Sequence, residues 1–322
     1  MRSLTVLAVL LALSSVSVAK DDGQINDFVK QHLNSIGTEQ TRAAVKSRAV
    51  KGQLQFSLVN GAGGNQEGKE VFISEGDKSV TLLKLPNPGY HGERFVCDGK
   101  KVEIAFVRPG VYSSFGSFVR THSEILTEGL LGGALSTGWA LTRMEENNAK
   151  LQDRGVKKIN GRELHRVQYL PAKNSDLEIM LYFDPQTARH LMTTYSLTIN
   201  PQMGSTVVAN AKQDLTRYYL EERFDDFNGT DGVQLPGRWT LQFTTEIPAG
   251  GDREITTWNN TPGAQDAPAR APGILVAKEG VMQNSNADPN AVGARSPVSK
   301  FEVKEISIHQ NVTLDPKNFE VK

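Results

Sequence analysis

Leu177-Glu178-Ile179-Met180-Leu181-Tyr182-Phe183, the turn Asp184-Pro185-Gln186-Thr187, and a second run from His190 to Ile199 form the stretch that decides the fold class. In the first run Leu177, Ile179, Leu181 and Phe183 share one face, and Glu178, Met180 and Tyr182 share the other. In the second, Leu191, Tyr195, Leu197 and Ile199 alternate with His190, Thr194, Ser196 and Thr198. A period of two, broken by a turn rich in Asp and Pro, is the pattern of paired antiparallel strands with one dry face and one wet face. A parallel sheet buried on both faces would instead show continuous apolar runs between long helices.

The same period recurs outward from this hairpin. Trp239, Leu241 and Phe243 oppose Arg238, Thr240 and Gln242. Towards the N-terminus, Leu54, Phe56 and Leu58 alternate with Gln53, Gln55 and Ser57, ahead of the loop Asn60-Gly61-Ala62-Gly63-Gly64. Val80 with Leu82, and Val102 with Ile104 and Phe106, repeat it, and Asp98-Gly99 between two such runs is a strong hairpin signal. The expected fold is mainly β (α+β): one large, curved, mostly antiparallel sheet.

Helical spacing predicts a short helix carrying Ile25, Phe28, Leu33 and Ile36, stopped by Gly37, and a second helical piece from Thr38 to about Val50. The stretch from about Ser117 to Leu151 holds Ile125, Leu126, Leu130, Leu131, Leu135, Trp139 and Leu141, apolar on more than one side, while Glu124, Glu128 and Arg143 argue against a membrane span. A helix apolar around much of its circumference is normally buried. This segment and the N-terminal helix are therefore expected on the concave face of the sheet. From Asn259 to Ser299 five of the 14 prolines and no aromatic residue occur, the composition of an insertion that cannot bury enough apolar surface to order itself. Phe301, Val303, Ile306 and Ile308 then resume strand character.

Arg2, the apolar run Leu4 to Leu13 and the small residues before Ser17-Val18-Ala19 have the layout of a cleavable export signal over residues 1–19. Its apolar core is about 10 residues, half of the roughly 20 needed to span a bilayer. Residues 20–322 are then expected to form a single exported domain. Basic and acidic side chains balance at 36 each, and loss of Arg2 leaves about −1, so no basic stripe points to nucleic acid. One cysteine, Cys97, excludes an internal disulfide and leaves stability to an apolar core.

Four short motifs resemble the outer-membrane lipoprotein carrier and lipoprotein-sorting (LolA/LolB-like) superfamily. They are Phe95-Val96-Cys97-Asp98-Gly99-Lys100, Leu181-Tyr182-Phe183-Asp184-Pro185-Gln186-Thr187, Phe224-Asp225-Asp226-Phe227-Asn228-Gly229-Thr230-Asp231-Gly232-Val233 with Leu235-Pro236, and Asn311-Val312-Thr313-Leu314-Asp315 with Phe319. The resemblance implies an open half-barrel of antiparallel strands, helices in its concave face, and a cavity between them for acyl chains. It also implies a periplasmic location, lipoproteins or acylated lipids as ligands, and membrane-associated loading and acceptor proteins of the envelope as partners. The chain departs from the family in its length, its insertion and its Gly-rich central segment. No residue can be matched from sequence to the carrier's lid-holding arginine.

Other chemistry is weakly signalled. Cys97 precedes an Asp-Gly turn and reads as a half-buried strand cysteine before it reads as a nucleophile. The six histidines, His32, His91, His122, His165, His190 and His309, show no metal-ligand spacing. Glu221, Glu222, Asp225 and Asp226 continue a strand, so alternate carboxylates face opposite ways, and a solvated edge is the expectation. The glycines at 61–64 and Gly132-Gly133 lack the strand–turn–helix context of a phosphate loop.

What remains is apolar surface. Leu130, Leu131 and Trp139 from the helical segment, with Ile179, Leu181, Phe183, Trp239 and Phe243 from the sheet, are the expected ligand-binding residues; the rival is that they close a core. No catalytic residue, metal or cofactor is expected, and the protein is expected to be a monomer. The leading function is a periplasmic carrier or binding protein for lipoproteins or other acylated ligands, acting by reversible apolar binding. The alternatives are an envelope sensor or structural protein of the same fold and, behind these, a hydrolase.

Overall fold

A computed structural model describes residues 16–58, 65–199, 216–246 and 296–321. Most of the expected export signal, the loop at 60–64 and the insertion up to residue 295 lie outside these residues. The strands in chain order are β1 (Ser47–Ser57), β2 (Gln66–Glu75), β3 (Lys78–Lys84), β4 (Gly92–Cys97), β5 (Val102–Phe106), β6 (Lys150–Ile159), β7 (Arg162–Leu170), β8 (Glu178–Phe183), β9 (His190–Ile199), β10 (Thr216–Thr230), β11 (Val233–Glu246) and β12 (Ser296–Gln310). They form one 12-stranded sheet in the order β5-β4-β3-β2-β1-β12-β11-β10-β9-β8-β7-β6. Every pairing is antiparallel, and β5 and β6 are the two free edges, so the sheet is open.

Turn chemistry fixes the hairpins. Gly99 at φ +96 follows Asp98, whose Oδ1 accepts from the backbone N–H groups of Lys100 (2.8 Å) and Lys101 (2.7 Å). Asp231-Gly232 at φ +48 and +80, and Asn160-Gly161 at +50 and +84, make the two-residue primed turns whose twist matches flanking strands. The Asn160-Gly161 hairpin between β6 and β7 is a signal the sequence reading passes over.

Five helices follow the same numbering: α1 (Val16–Ile36), α2 (Glu39–Ala44), α3 (Ser114–Thr121), α4 (Glu124–Thr127) and α5 (Met144–Asn147). Between α4 and α5 lie only two 3-10 turns, at Gly133–Leu135 and Ala140–Thr142. Helix α1 touches both β6 and β11, which stand five strands apart in the sheet. A flat sheet would separate them by roughly 24 Å at about 4.8 Å per strand, more than twice a helix diameter of about 10 Å. The sheet therefore curls around the helical layer, as a half-barrel does.

One apolar core fills the inside of that curve. Phe56 and Phe301 face each other across β1 and β12, with ring centroids 4.8 Å apart, and Phe115 of α3 adds a third ring 5.7 Å from Phe301. Trp239, Leu241 and Phe243 of β11 share the same face and are buried. A smaller cluster dries part of the outer face: Val80 and Val96 are covered by Phe319, with Ile73, Leu314 and Val321 packed around them. The closing segment is folded back there by a 3-10 turn at Pro316–Phe319, capped by Asp315 and held by Arg94, which donates to the Asn318 carbonyl.

Five expectations are corrected. The helix expected from Thr38 to about Val50 ends at Ala44, because Arg48, Ala49 and Val50 are claimed by ladders on both sides, with β12 and with β2. The segment expected to be one helix over 117–151 is broken by Gly129 (φ +73), Gly132 (+80) and Gly133 (+50), and its last two residues start β6. In β9 a register shift at the hairpin end turns His190 and Thr193 inward with Tyr195 and Leu197, and Met192 pairs with Tyr182 on the outside. Leu83, not Val80 or Leu82, carries β3 into the main core. Strand β12 begins at Ser296, so the last four residues assigned to the insertion belong to the sheet.

Phe301 is the ring on which β1, β12 and α3 meet. Phe301→Ala is expected to cost about 3–5 kcal/mol in urea unfolding; an unchanged midpoint would show that these three elements do not share a packed centre.

Candidate ligand-binding core

All eight residues singled out from sequence lie inside the curve. Leu130, Ile179, Leu181 and Trp239 are fully buried, and Leu131, Trp139, Phe183 and Phe243 nearly so, in a single contiguous cluster. The sheet supplies Ile179, Leu181 and Phe183 from β8, with Trp239 and Phe243 from β11. The segment between α4 and α5, called the roof below, supplies the rest. Among the described residues, none of the eight borders the cavity beside this core or the two larger ones outside it. The one at the seam of α1, the roof and β9–β11 is bordered by His32, Ile36, Ala134, His190 and Phe224 and holds about 10 Å³, at most the space of a single water. In this conformation the concave face is filled by the protein's own side chains.

The roof has almost no regular structure, so its position depends on polar pins to the sheet. Arg48 of β1, buried beneath it, donates from Nη1 to the carbonyls of Ala134 (2.7 Å) and Leu135 (3.0 Å). Burial pulls its guanidinium down to about 10, which leaves it cationic at neutral pH. Ser74 of β2 accepts from the Thr137 N–H at 3.0 Å. Glu222 of β10, fully buried, accepts from the Gly132 N–H (2.9 Å) and the Trp239 indole N–H (3.0 Å) on Oε1, and from the Tyr195 hydroxyl (2.7 Å) on Oε2. Burial pushes Glu222 up from 4.5 to about 7, against the downward pull of those three donors.

Trp139 is the pin on the other side of the roof. Its indole N–H donates to His32 Nε2 at 2.9 Å, and its ring stacks on His190 at 4.9 Å and 25°. His32 Nε2 is then the acceptor, so Nδ1 carries the proton and donates to the Ala188 carbonyl at 2.9 Å. Burial holds His32 down near 4 and His190 well below its ordinary value, so both rings are neutral near pH 7. One histidine thus ties α1, the roof and the β8–β9 turn together.

Sequence reading found Trp139 but missed Arg48, Glu222, His32 and Glu70. Arg48 lay in the stretch expected to be helical, and Glu222 was grouped with a solvated edge. Strand β10 is in fact central in its half of the sheet; Glu221 pairs outward with Arg223 at 2.6 Å while Glu222 points in. Glu70 on β2 is buried with no hydrogen-bond partner for either oxygen among the described residues, and burial pushes its carboxyl well above its ordinary value, which favours the uncharged form. Cys97 is buried in the core, which raises its thiol, the opposite of what a nucleophile needs.

No family model matches the sequence, and no curated protein does. Among solved structures the chain is similar to a LolA superfamily protein from Nitrosomonas europaea, at 11% identity and a TM-score of 0.42, covering 92% of this chain and 97% of that one. It is similar to a DUF1329 family protein from Desulfovibrio piger, at 10% identity and a TM-score of 0.40, with coverage of 92% and 97%. It is also similar to a putative outer membrane lipoprotein-sorting protein domain from Vibrio parahaemolyticus, at 11% identity and a TM-score of 0.39, with coverage of 90% and 97%. No helix among the described residues is long and apolar enough to cross a membrane.

The raised Glu222 has a signed consequence. An acid whose folded value lies above its unfolded one favours folding while protonated, and that advantage is lost as pH rises from about 4.5 to about 7. The buried histidines act oppositely, below their ordinary value, and cancel when a variant is compared with the parent at each pH. Glu222→Gln should therefore gain about 2 kcal/mol of stability relative to the parent between pH 5 and pH 8, read from urea unfolding at both. An equal difference at the two pH values would show that Glu222 does not ionise in that window.

Proposed function

We propose that the protein is an exported carrier or binding protein for lipoproteins or other acylated ligands, working in the periplasm as a single domain by reversible apolar binding. The observation that carries this reading is the roof. A continuous apolar interior is covered by a segment with little secondary structure of its own, held to the sheet by a few identifiable hydrogen bonds. Such a cover can leave while the sheet stays intact, and the faces then exposed are Leu130, Leu131 and Trp139 on one side and Ile179, Leu181, Phe183, Trp239 and Phe243 on the other.

In this reading Arg48 holds the roof shut, the role that could not be placed from sequence. No covalent step or cofactor is involved, since an acyl chain gains roughly 0.8 kcal/mol per buried methylene from burial alone. The filled interior favours a second reading, in which the core is permanently closed and the protein serves the envelope by binding a protein partner or as a structural element. The two differ in whether the interior ever admits a ligand.

Arg48→Met removes both carbonyl contacts while keeping an apolar stem in place. A ligand that binds only the open state gains apparent affinity as that state becomes more populated, so uptake of a fluorescent fatty acid should tighten about tenfold in the variant. Native mass spectrometry of the parent, purified from its own envelope, should show a bound acylated species that the probe displaces. A folded parent and a folded variant that both ignore the probe would select the closed-core reading.

A further inference from the structure

A second cavity, of about 590 Å³, lies outside the roofed core at the end of β3, β4 and β5. Its walls are Leu85, Pro86, Pro88 and Val107, and Lys84, His91 and Arg108 complete its lining. That volume lies within the range of small-ligand sites, and apolar walls with a few polar groups are their usual make-up. The frame is built in. The Leu85 N–H donates to the His91 carbonyl at 3.0 Å, closing the β3–β4 loop, and the Val107 N–H donates to the Gly92 carbonyl at 3.1 Å, tying the end of β5 to it. Two prolines fix the loop between.

The charge here is one-sided. No carboxylate lines the cavity, and neither Lys84 nor Arg108 has an ion-pair or hydrogen-bond partner among the described residues. Lys84 also stands directly opposite Lys69 in the β2–β3 ladder. Like charges facing each other across strands destabilise a sheet, unless an anion sits between or beside them. Leu85 belongs both to the cavity wall and to the main core, so an apolar chain lodged in the cavity lies against the interior.

We propose that this cavity binds the anionic group of an amphiphile, a carboxylate or phosphate borne on an acyl chain, with Lys84 and Arg108 holding the charge and Leu85, Pro86, Pro88 and Val107 the first carbons. Entry of the rest of the chain into the core rests on the carrier reading; the anion site itself does not. It would orient an acylated ligand, headgroup outside and tail towards the interior.

The test is calorimetric titration of the full chain with decanoate, decyl phosphate, decanol and inorganic phosphate, at low and at high salt. Decanoate and decyl phosphate should bind at least about tenfold more tightly than decanol. The variant Lys84→Gln/Arg108→Gln, and high salt, should bring the two anions to the level of decanol, and inorganic phosphate should not register. Equal affinity for decanol and the two anions would overturn the proposal, as would an unchanged double variant, or inorganic phosphate binding as tightly as decyl phosphate. The core reading is separated by Arg48→Met: its loss of effect on fatty-acid uptake sinks the carrier and leaves the salt-sensitive difference between decanoate and decanol in place.

Discussion

A sheet of twelve strands with two free edges cannot dry its own inner face, and everything else in this molecule follows from how that face is covered. Closing the sheet into a barrel would remove the edges and fill the lumen with its own side chains. Here β5 and β6 stay apart, so the apolar residues of β8, β10, β11, β12 and β1 need a second layer. The chain provides it in two pieces from different parts of the sequence, α1 and the segment from α3 to α5. Burial at roughly 25 cal/mol per Å² of apolar surface drives that layer down but gives it no preferred register, because oil on oil is non-directional.

Register comes from the buried polar groups. Arg48, Ser74 and Glu222 rise from the sheet to meet backbone atoms of the roof between residues 132 and 137, and His32 meets Trp139 from the side. Each such group is costly to bury and costlier to leave unpaired, so a roof displaced by one residue strands several at once. The glycines belong to the same arrangement. A side chain at Gly133 would press on His190 and Phe224, each 3.0 Å from where its Cβ would stand, and would also be strained at φ +50, so glycine suits the close approach of roof to sheet. Glu70, like Thr81 and Ser299, departs from the pairing rule among the described residues, and burial raises its carboxyl well above its ordinary value, towards the uncharged form.

The fold was legible where local chemistry and tertiary demand agree. The alternation around Leu181 and Leu241, and the turns at Asp98-Gly99 and Asp231-Gly232, specify hairpins without help from distant residues. Legibility failed where a distant partner decides. Ser47 to Val50 has no strand pattern of its own and opens β1 only because β2 and β12 pair with it on either side. A bulge at the start of β9 sends His190 inward, against the period that places it outside. The apolar half of the candidate site was readable as composition, since large side chains on one face have to go somewhere. The polar half was not: Glu222 and Glu221 are neighbours in sequence and differ only in the face on which they fall, and Arg48 shows its role only once Ala134 and Leu135 are seen above it.

The balance between a closed and an opened roof can be set against a ligand's gain. Opening gives up five pins on the inner side of the roof, two from Arg48 and one each at Ser74, Glu222 and His32, besides the Tyr169–Glu128 and Thr137–Gly76 bonds and the Arg143–Asp77 pair at its rim, where water can replace the lost partners. At about 1 kcal/mol net for a neutral hydrogen bond and somewhat more where a charge takes part, the five inner pins amount to roughly 5–8 kcal/mol. The apolar surface uncovered on both sides is recovered to the extent that a ligand replaces roof against sheet. A single acyl chain of about 14 carbons gains roughly 11 kcal/mol on full burial, enough to offset the pins, whereas a chain of about 6 carbons is not. Selectivity for long chains would then follow from the number of hydrogen bonds holding the cover, with no residue needed to measure the chain's length.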